Sequence, residues 1–145
     1  MFKRILLPTD GSETSAKAIQ SCISFAKETG ATIIGLHVIP EFHTFTYQTE
    51  MLEDTRAEYE RKCMAHVKKY LAEIEIAAKA ADVQCETSYM ISESPYEAII
   101  KAAKDKRCEL IAMASHGRKG MKGFLLGSET QKVLTNSQIP VLVFR

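Results

Sequence analysis

Two kinds of hydrophobic pattern alternate along this chain. Residues 2–7 form a short apolar run closed by Pro8 and Gly11, which suits a buried strand, although periodicity alone also admits a piece of buried helix. Ser12 is then placed to cap a helix, because its hydroxyl oxygen can accept from a backbone N–H left unpaired in the first turn. Ala16, Ile19, Ile23 and Ala26 recur at helical spacing, and Gly30 supplies the stop. Residues 32–39 are β-branched and almost continuously apolar, as expected of a central strand covered on both faces, and Pro40 closes them.

Residues 41–49 mix Phe42, His43, Phe45 and Tyr47 with polar residues without a period and read as a loop or lid. From 50 to 81, Leu52, Tyr59, Cys63, Val67, Leu71, Ile74 and Ala78 form one helical stripe. At the usual rise such a helix is roughly 45 Å long, more than a small domain covers, so its first turns should overhang or bend. Residues 83–91 alternate polar and apolar positions, which predicts an edge strand with one wet face. Ser94 and Pro95 open a helix with Ala98, Ile99 and Ala102 on its apolar side. Residues 110–114 predict a fourth strand, 127–135 a short helix, and 140–144 a last β-branched strand.

Strands alternating with helices imply one domain, 1–145, of the α/β class: a doubly wound, Rossmann-like, five-stranded parallel sheet in the order 3-2-1-4-5, with helices on both faces. A ligand of such a sheet sits beyond the carboxyl ends of the strands where the order reverses, here between strands 1 and 4. The loop after Pro8 and the segment after Ala114 meet there.

Composition narrows the ligand. An apolar share of 46% fills one core, and nineteen basic against eighteen acidic residues leave a net charge of +1. That balance offers no concentrated basic face, so neither nucleic acid nor a membrane surface is an expected partner. The apolar run at the N-terminus meets Pro8 too early for an export signal, and no stretch approaches the roughly 20 apolar residues of a membrane span. Cys22, Cys63, Cys85 and Cys108 are scattered without a Cys-x-x-Cys pair; buried reduced thiols in a cytoplasmic protein are the plain reading, with zinc or disulfide chemistry as the alternative.

The candidate chemistry lies in residues 114–128, where a strand end leads into a helix through Gly117, Gly120, Gly123 and Gly127. Small residues let backbone N–H groups approach an anion, and a helix start adds unpaired donors and partial positive charge. Ser128 contributes a hydroxyl, and Arg118, Lys119 and Lys122 can offset phosphate charge; an ordinary solvated loop is the alternative. The spacing of a Walker loop occurs nowhere, and the first strand is followed only by Asp10-Gly11-Ser12, which is no dinucleotide fingerprint.

Ile5-Leu6-Leu7-Pro8-Thr9-Asp10-Gly11-Ser12, Leu36-His37-Val38, Ser115-His116-Gly117-Arg118, Leu125-Leu126-Gly127-Ser128 and Pro140-Val141-Leu142-Val143 follow one another as in a universal stress protein of the UspA type, which the chain resembles over essentially its whole length. The ATP-binding members of that family carry Gly, two residues, Gly, nine residues, then Gly with Ser or Thr. Gly117, Gly127 and Ser128 keep that pattern, whereas Ala114 replaces its first glycine. A methyl there matters if the backbone needs a positive φ or touches a phosphate.

The resemblance implies that Asp10 meets the adenosine with Pro8 and Thr9 beside it, and that Val38 meets the adenine through its backbone. Ala114, Gly117, Gly127, Ser128 and Glu129 surround the ribose and phosphates in the same reading, Met113 is a further cofactor-binding residue, and Arg118 and Lys119 are either on the phosphates or turned to water. ATP, with or without Mg, is the implied cofactor. Asp10 is alternatively a turn former. His116 lies near the implied phosphates without a partner that would make it catalytic, and no catalytic or metal-binding residue is assigned. His37 reads as a satisfied buried histidine, His43 and His66 lack metal-ligand spacing, and Met51 and Met64 read as packing residues.

Three function classes follow. The first is an ATP-binding stress-response regulator whose lid, about 41–56, changes a surface for a protein partner. The second is a slow ATP hydrolase, and the third is an interaction module of the same fold without nucleotide. A homodimer is expected in each, through the apolar last strand at an exposed sheet edge, Val141–Phe144.

Overall fold

The computed structural model describes residues 1–42, 49–116 and 126–145, with the backbone alone for 49–54. In chain order the elements are β1 (Arg4–Pro8), α1 (Glu13–Thr29), β2 (Thr32–Ile39), α2 (Thr49–Ala80), β3 (Cys85–Ile91), α3 (Pro95–Asp105), β4 (Leu110–Ala114), α4 (Ser128–Asn136) and β5 (Val141–Phe144). Every strand pair is parallel, and the sheet runs β3-β2-β1-β4-β5, the order expected from the sequence.

Side chains alternate across each strand, so the central strands feed two cores. Ile5, Leu7 and Ile33 pack with Ile19, Cys22 and Ile23 of α1 and with Val67, Leu71 and Ile74 of α2. Leu6, Ile34, Leu36 and Ile111 turn the other way, onto Ile99 and Ala103 of α3 and Val133 of α4. This is why β2 is apolar at successive positions: both of its faces are covered. Truncating a fully enclosed residue such as Ile34 to alanine should cost about 2–5 kcal/mol.

The helix ends follow the local chemistry. Ser12 caps α1 by accepting from the Ser15 amide at 3.1 Å, and Gly30 ends it in the left-handed region at φ 70. The first described side chains of α2 are mostly exposed, and its stripe sinks into the core only from Val67 onward, which is the expected overhang. β3 begins at Cys85 rather than at 83. The Val83 amide is spent on the Ala78 carbonyl at 2.9 Å, closing α2 behind a left-handed Asp82, so Val83 belongs to the helix stop. Of the expected lid, residues 43–48 lie outside the described residues.

The sheet divides where its order reverses. β1 stays in register with β2 as far as Pro8 opposite Leu36, but pairs with β4 only at Ile5 with Leu110 and Leu6 with Ile111. Thr9 donates its amide to Leu36 on the β2 side at 2.8 Å. Neighbouring amides point to opposite sides of a strand, so the position whose amide would face β4 is Pro8, which has none.

Candidate functional site

A cavity of about 520 Å³ fills the gap between the ends of β1 and β4. Pro8, Val38, Pro40, Pro95, Ile99 and Met113 give it an apolar part, while Thr9, Asp10, Ser15, His116, Ser128, Glu129 and Thr130 supply polar groups. The volume falls in the range usual for small-molecule sites. Of the site residues expected from the sequence, Pro8, Thr9, Asp10, Val38, Met113, Ala114, Gly127, Ser128 and Glu129 all line this one cavity. Gly117, Arg118 and Lys119 lie outside the described residues.

The β1 side of the cavity is a hydrogen-bonded turn. Asp10 Oδ1 accepts from the Ser12 amide at 2.9 Å and from the Ser15 hydroxyl at 3.0 Å, which fixes the plane of the carboxylate. The Gly11 amide donates to Thr9 Oγ1 at 3.2 Å, and Gly11 itself stands at φ 76, a conformation that favours glycine. The turn-forming reading of Asp10 therefore holds, and the same residue also faces the cavity.

The β4 side is the start of α4. The Gly127 amide donates to the Ser115 carbonyl at 2.7 Å and Thr130 Oγ1 donates to the Ala114 carbonyl at 3.0 Å, stapling the first turn to the end of the strand. No side chain caps this helix among the described residues. Gly127, Ser128, Glu129 and Thr130 thus bring the first turn of α4 to the cavity, with the positive end of the helix dipole behind them. Ala114 continues β4 in register with Phe144, so its backbone is extended and the methyl meets no conformational objection.

Several groups escaped the sequence reading. Ser15 is buried and orients Asp10, yet its position in the first turn of α1 marks it only as a helix residue. Thr130, Pro95 and Ile99 reach the cavity from helices whose approach is set by packing. Glu129 lines the cavity, and its Oε2 also accepts from the Tyr96 amide at 2.9 Å; it serves as the N-terminal cap of α3 that Ser94 does not provide. His37 is half-buried and satisfied, facing the Thr9 carbonyl through Nδ1 at 2.8 Å. His116 stands with Nδ1 at 3.0 Å from Ser115 Oγ, but Ser115 is buried and not among the cavity's lining residues, so the pair offers it no nucleophile.

The overhanging part of α2 touches the rim as well. Tyr59 donates its hydroxyl proton to the Pro40 carbonyl at 2.7 Å, and burial, reinforced by Cys63 and Glu93, pushes its phenol up to about 12. All four cysteines are free thiols, Cys22 and Cys108 buried and Cys63 and Cys85 half-buried. Among the described residues there is no His/Cys/Asp/Glu cluster suited to a metal ion, and no helix is long and apolar enough to cross a membrane.

Comparison with known proteins places this geometry. The model of the universal stress protein family matches residues 1–145. The universal stress protein YxiE of Bacillus subtilis is 35% identical over 153 residues, spanning 100% of both chains. The solved structure of MJ0577 from Methanocaldococcus jannaschii superposes with a TM-score of 0.83 at 32% identity, covering 99% of this chain and 95% of that one. That of the universal stress protein from Archaeoglobus fulgidus in complex with dAMP superposes at 0.71 with 13% identity, over 100% of this chain and 98% of that one. By its sheet order, by the cavity at its switch point and by these matches along its whole length, this chain belongs to the universal stress protein family.

Proposed function

We propose that this protein binds an adenine nucleotide, with ATP as the ligand, and acts as a stress-response regulator in the cytoplasm. One observation carries the reading: the start of α4, which no side chain caps among the described residues, and the Asp10 turn face each other across a cavity whose remaining wall is mostly apolar. Anions favour an unsatisfied helix N-terminus, a base favours an apolar slot, and a carboxylate suits the hydroxyls of a ribose. Pro8, Thr9, Asp10 and Val38 would hold the adenosine, and Ala114, Gly127 and Ser128 the phosphates, with Gly117, Arg118 and Lys119 completing the phosphate side. The dAMP complex of a protein with the same fold supports the choice of base.

The protein would work as a homodimer paired along β5, whose outer edge has no partner strand among the described residues. Equilibrium dialysis against labelled ATP with magnesium tests the binding: saturable retention that weakens in Ser128→Ala is expected, and no retention at millimolar nucleotide refutes it. Sedimentation at micromolar concentration tests the dimer, and a purely monomeric boundary counts against it.

A further inference from the structure

Both neighbours of Asp10 are held from outside their own loop. The Thr9 carbonyl faces His37 Nδ1 at 2.8 Å, and since a carbonyl oxygen only accepts, the proton sits on that ring nitrogen. Gly11 lies so close under the Tyr70 ring that a Cβ on it would stand 2.2 Å from Tyr70 Cε1. These two outside groups also touch each other: His37 meets Tyr70 edge-on with ring centroids 5.1 Å apart, and Tyr70 is stacked with His66 at 5.5 Å.

We propose that His37 and Tyr70 are positioning residues of the nucleotide site, clamping the turn Thr9–Asp10–Gly11 so that the Asp10 carboxylate is presented to the ligand in one orientation. This rests on the nucleotide reading above. The bonds from Ser12 and Ser15 fix the carboxylate against its own loop and the first turn of α1, whereas His37 ties that loop to β2 and Tyr70 packs it against α2. When either tie is lost the turn samples other arrangements, and apparent affinity falls in proportion to the fraction that remains competent.

The test compares the unsubstituted chain with His37→Phe, His37→Asn and Tyr70→Leu by calorimetric titration with magnesium ATP. His37→Phe keeps a ring against Tyr70 but has no donor; His37→Asn returns an N–H near the place of Nδ1. The expected result is about tenfold weaker binding for His37→Phe and Tyr70→Leu, with most of the loss recovered in His37→Asn. A purely structural role would lower the melting temperature of the two His37 variants alike without that recovery. Binding by His37→Phe as tight as in the unsubstituted chain overturns the proposal, and so does a folded His37→Asn that recovers nothing. A ligand-free measurement separates this from failure of the nucleotide reading: the Gly11 amide resonance should move in His37→Phe and return in His37→Asn. If the unsubstituted chain does not bind ATP, the nucleotide reading falls, and an unmoved Gly11 resonance then overturns the clamp as well. Should Tyr70→Leu fail to fold, the His37 pair decides.

Discussion

Gly127 and His116 approach so closely that a Cβ on Gly127 would stand 2.9 Å from the Cα of His116 and 3.3 Å from its Cβ. Gly127 has φ −58, which any residue adopts, so glycine is needed here for space rather than for conformation. The contact lets the Gly127 amide reach the Ser115 carbonyl and seats the start of α4 on the end of β4. Gly127→Ala should push the two apart, at a cost of about 1–3 kcal/mol in urea unfolding, and weaken ATP binding in the same titration. An alanine variant with unchanged unfolding midpoint and affinity would show that the contact relaxes freely.

Gly11 needs glycine for both conformation and space. At φ 76 a side chain costs roughly 1–2 kcal/mol before any contact is counted, and the Tyr70 ring occupies the space a methyl would need. Gly11→Ala should therefore be destabilising, and Tyr70→Leu in the same chain should relieve the steric part. The double variant is expected to lose less than the sum of the two single losses, measured as a double-mutant cycle by denaturant unfolding. Simple additivity would mean that ring and turn do not press on one another.

Glu129 serves two structures at once, lining the cavity and accepting from the Tyr96 amide in the first turn of α3. An acidic group at a helix start both satisfies a donor and complements the dipole. Glu129→Ala should cost about 1 kcal/mol, with faster hydrogen exchange at the Tyr96 amide than elsewhere in α3. Uniform exchange along α3 would assign the cap to another group.

Burial pushes the Cys22 thiol up to about 12 from an ordinary 9.0, and burial likewise carries Cys85 and Cys108 to about 11. The folded state thus favours the protonated thiol. Its contribution is complete below pH 9.0, where both states keep the proton, and is lost as pH rises toward 12, because the unfolded chain ionises first. The unfolding midpoint should fall as pH rises above 9.0, and less steeply in Cys22→Ala. An equal slope in that variant would remove Cys22 from the explanation.

The strands were legible wherever sequence supplied both a run and a stop. Residues 32–39 are apolar on both faces and end at Pro40, and β2 has those bounds. Val83 was misread because its valine suits a strand, whereas its amide is taken by the Ala78 carbonyl, a bond that depends on how α2 ends. The cavity shows the same division. Asp10, Gly127 and Ser128 stand in local motifs, but Ser15 and Thr130 act through hydroxyls aimed at Asp10 and at the Ala114 carbonyl, and nothing local gives that aim. His37 reaches Thr9 only because Pro8 pairs with Leu36, a register that one strand read alone does not contain.

The replacement of the first motif glycine by Ala114 bears most directly on whether this chain binds ATP. A glycine would be required there if the backbone were left-handed or if a phosphate needed the place of the methyl. The first condition is absent: Ala114 lies in β4, paired with Phe144, and its carbonyl accepts from Thr130 Oγ1 as a regular strand end can. What remains is the methyl of a residue that lines the cavity beside the start of α4. If the phosphates are held by the first turn of α4, Ala114→Gly should change ATP affinity by no more than about threefold and cost roughly 0.5–1 kcal/mol of stability through the freer unfolded chain. Titration and urea unfolding of that one variant read both quantities. A gain in affinity of a hundredfold would mean that the methyl blocks the phosphates in this chain and that nucleotide binding was given up with the glycine.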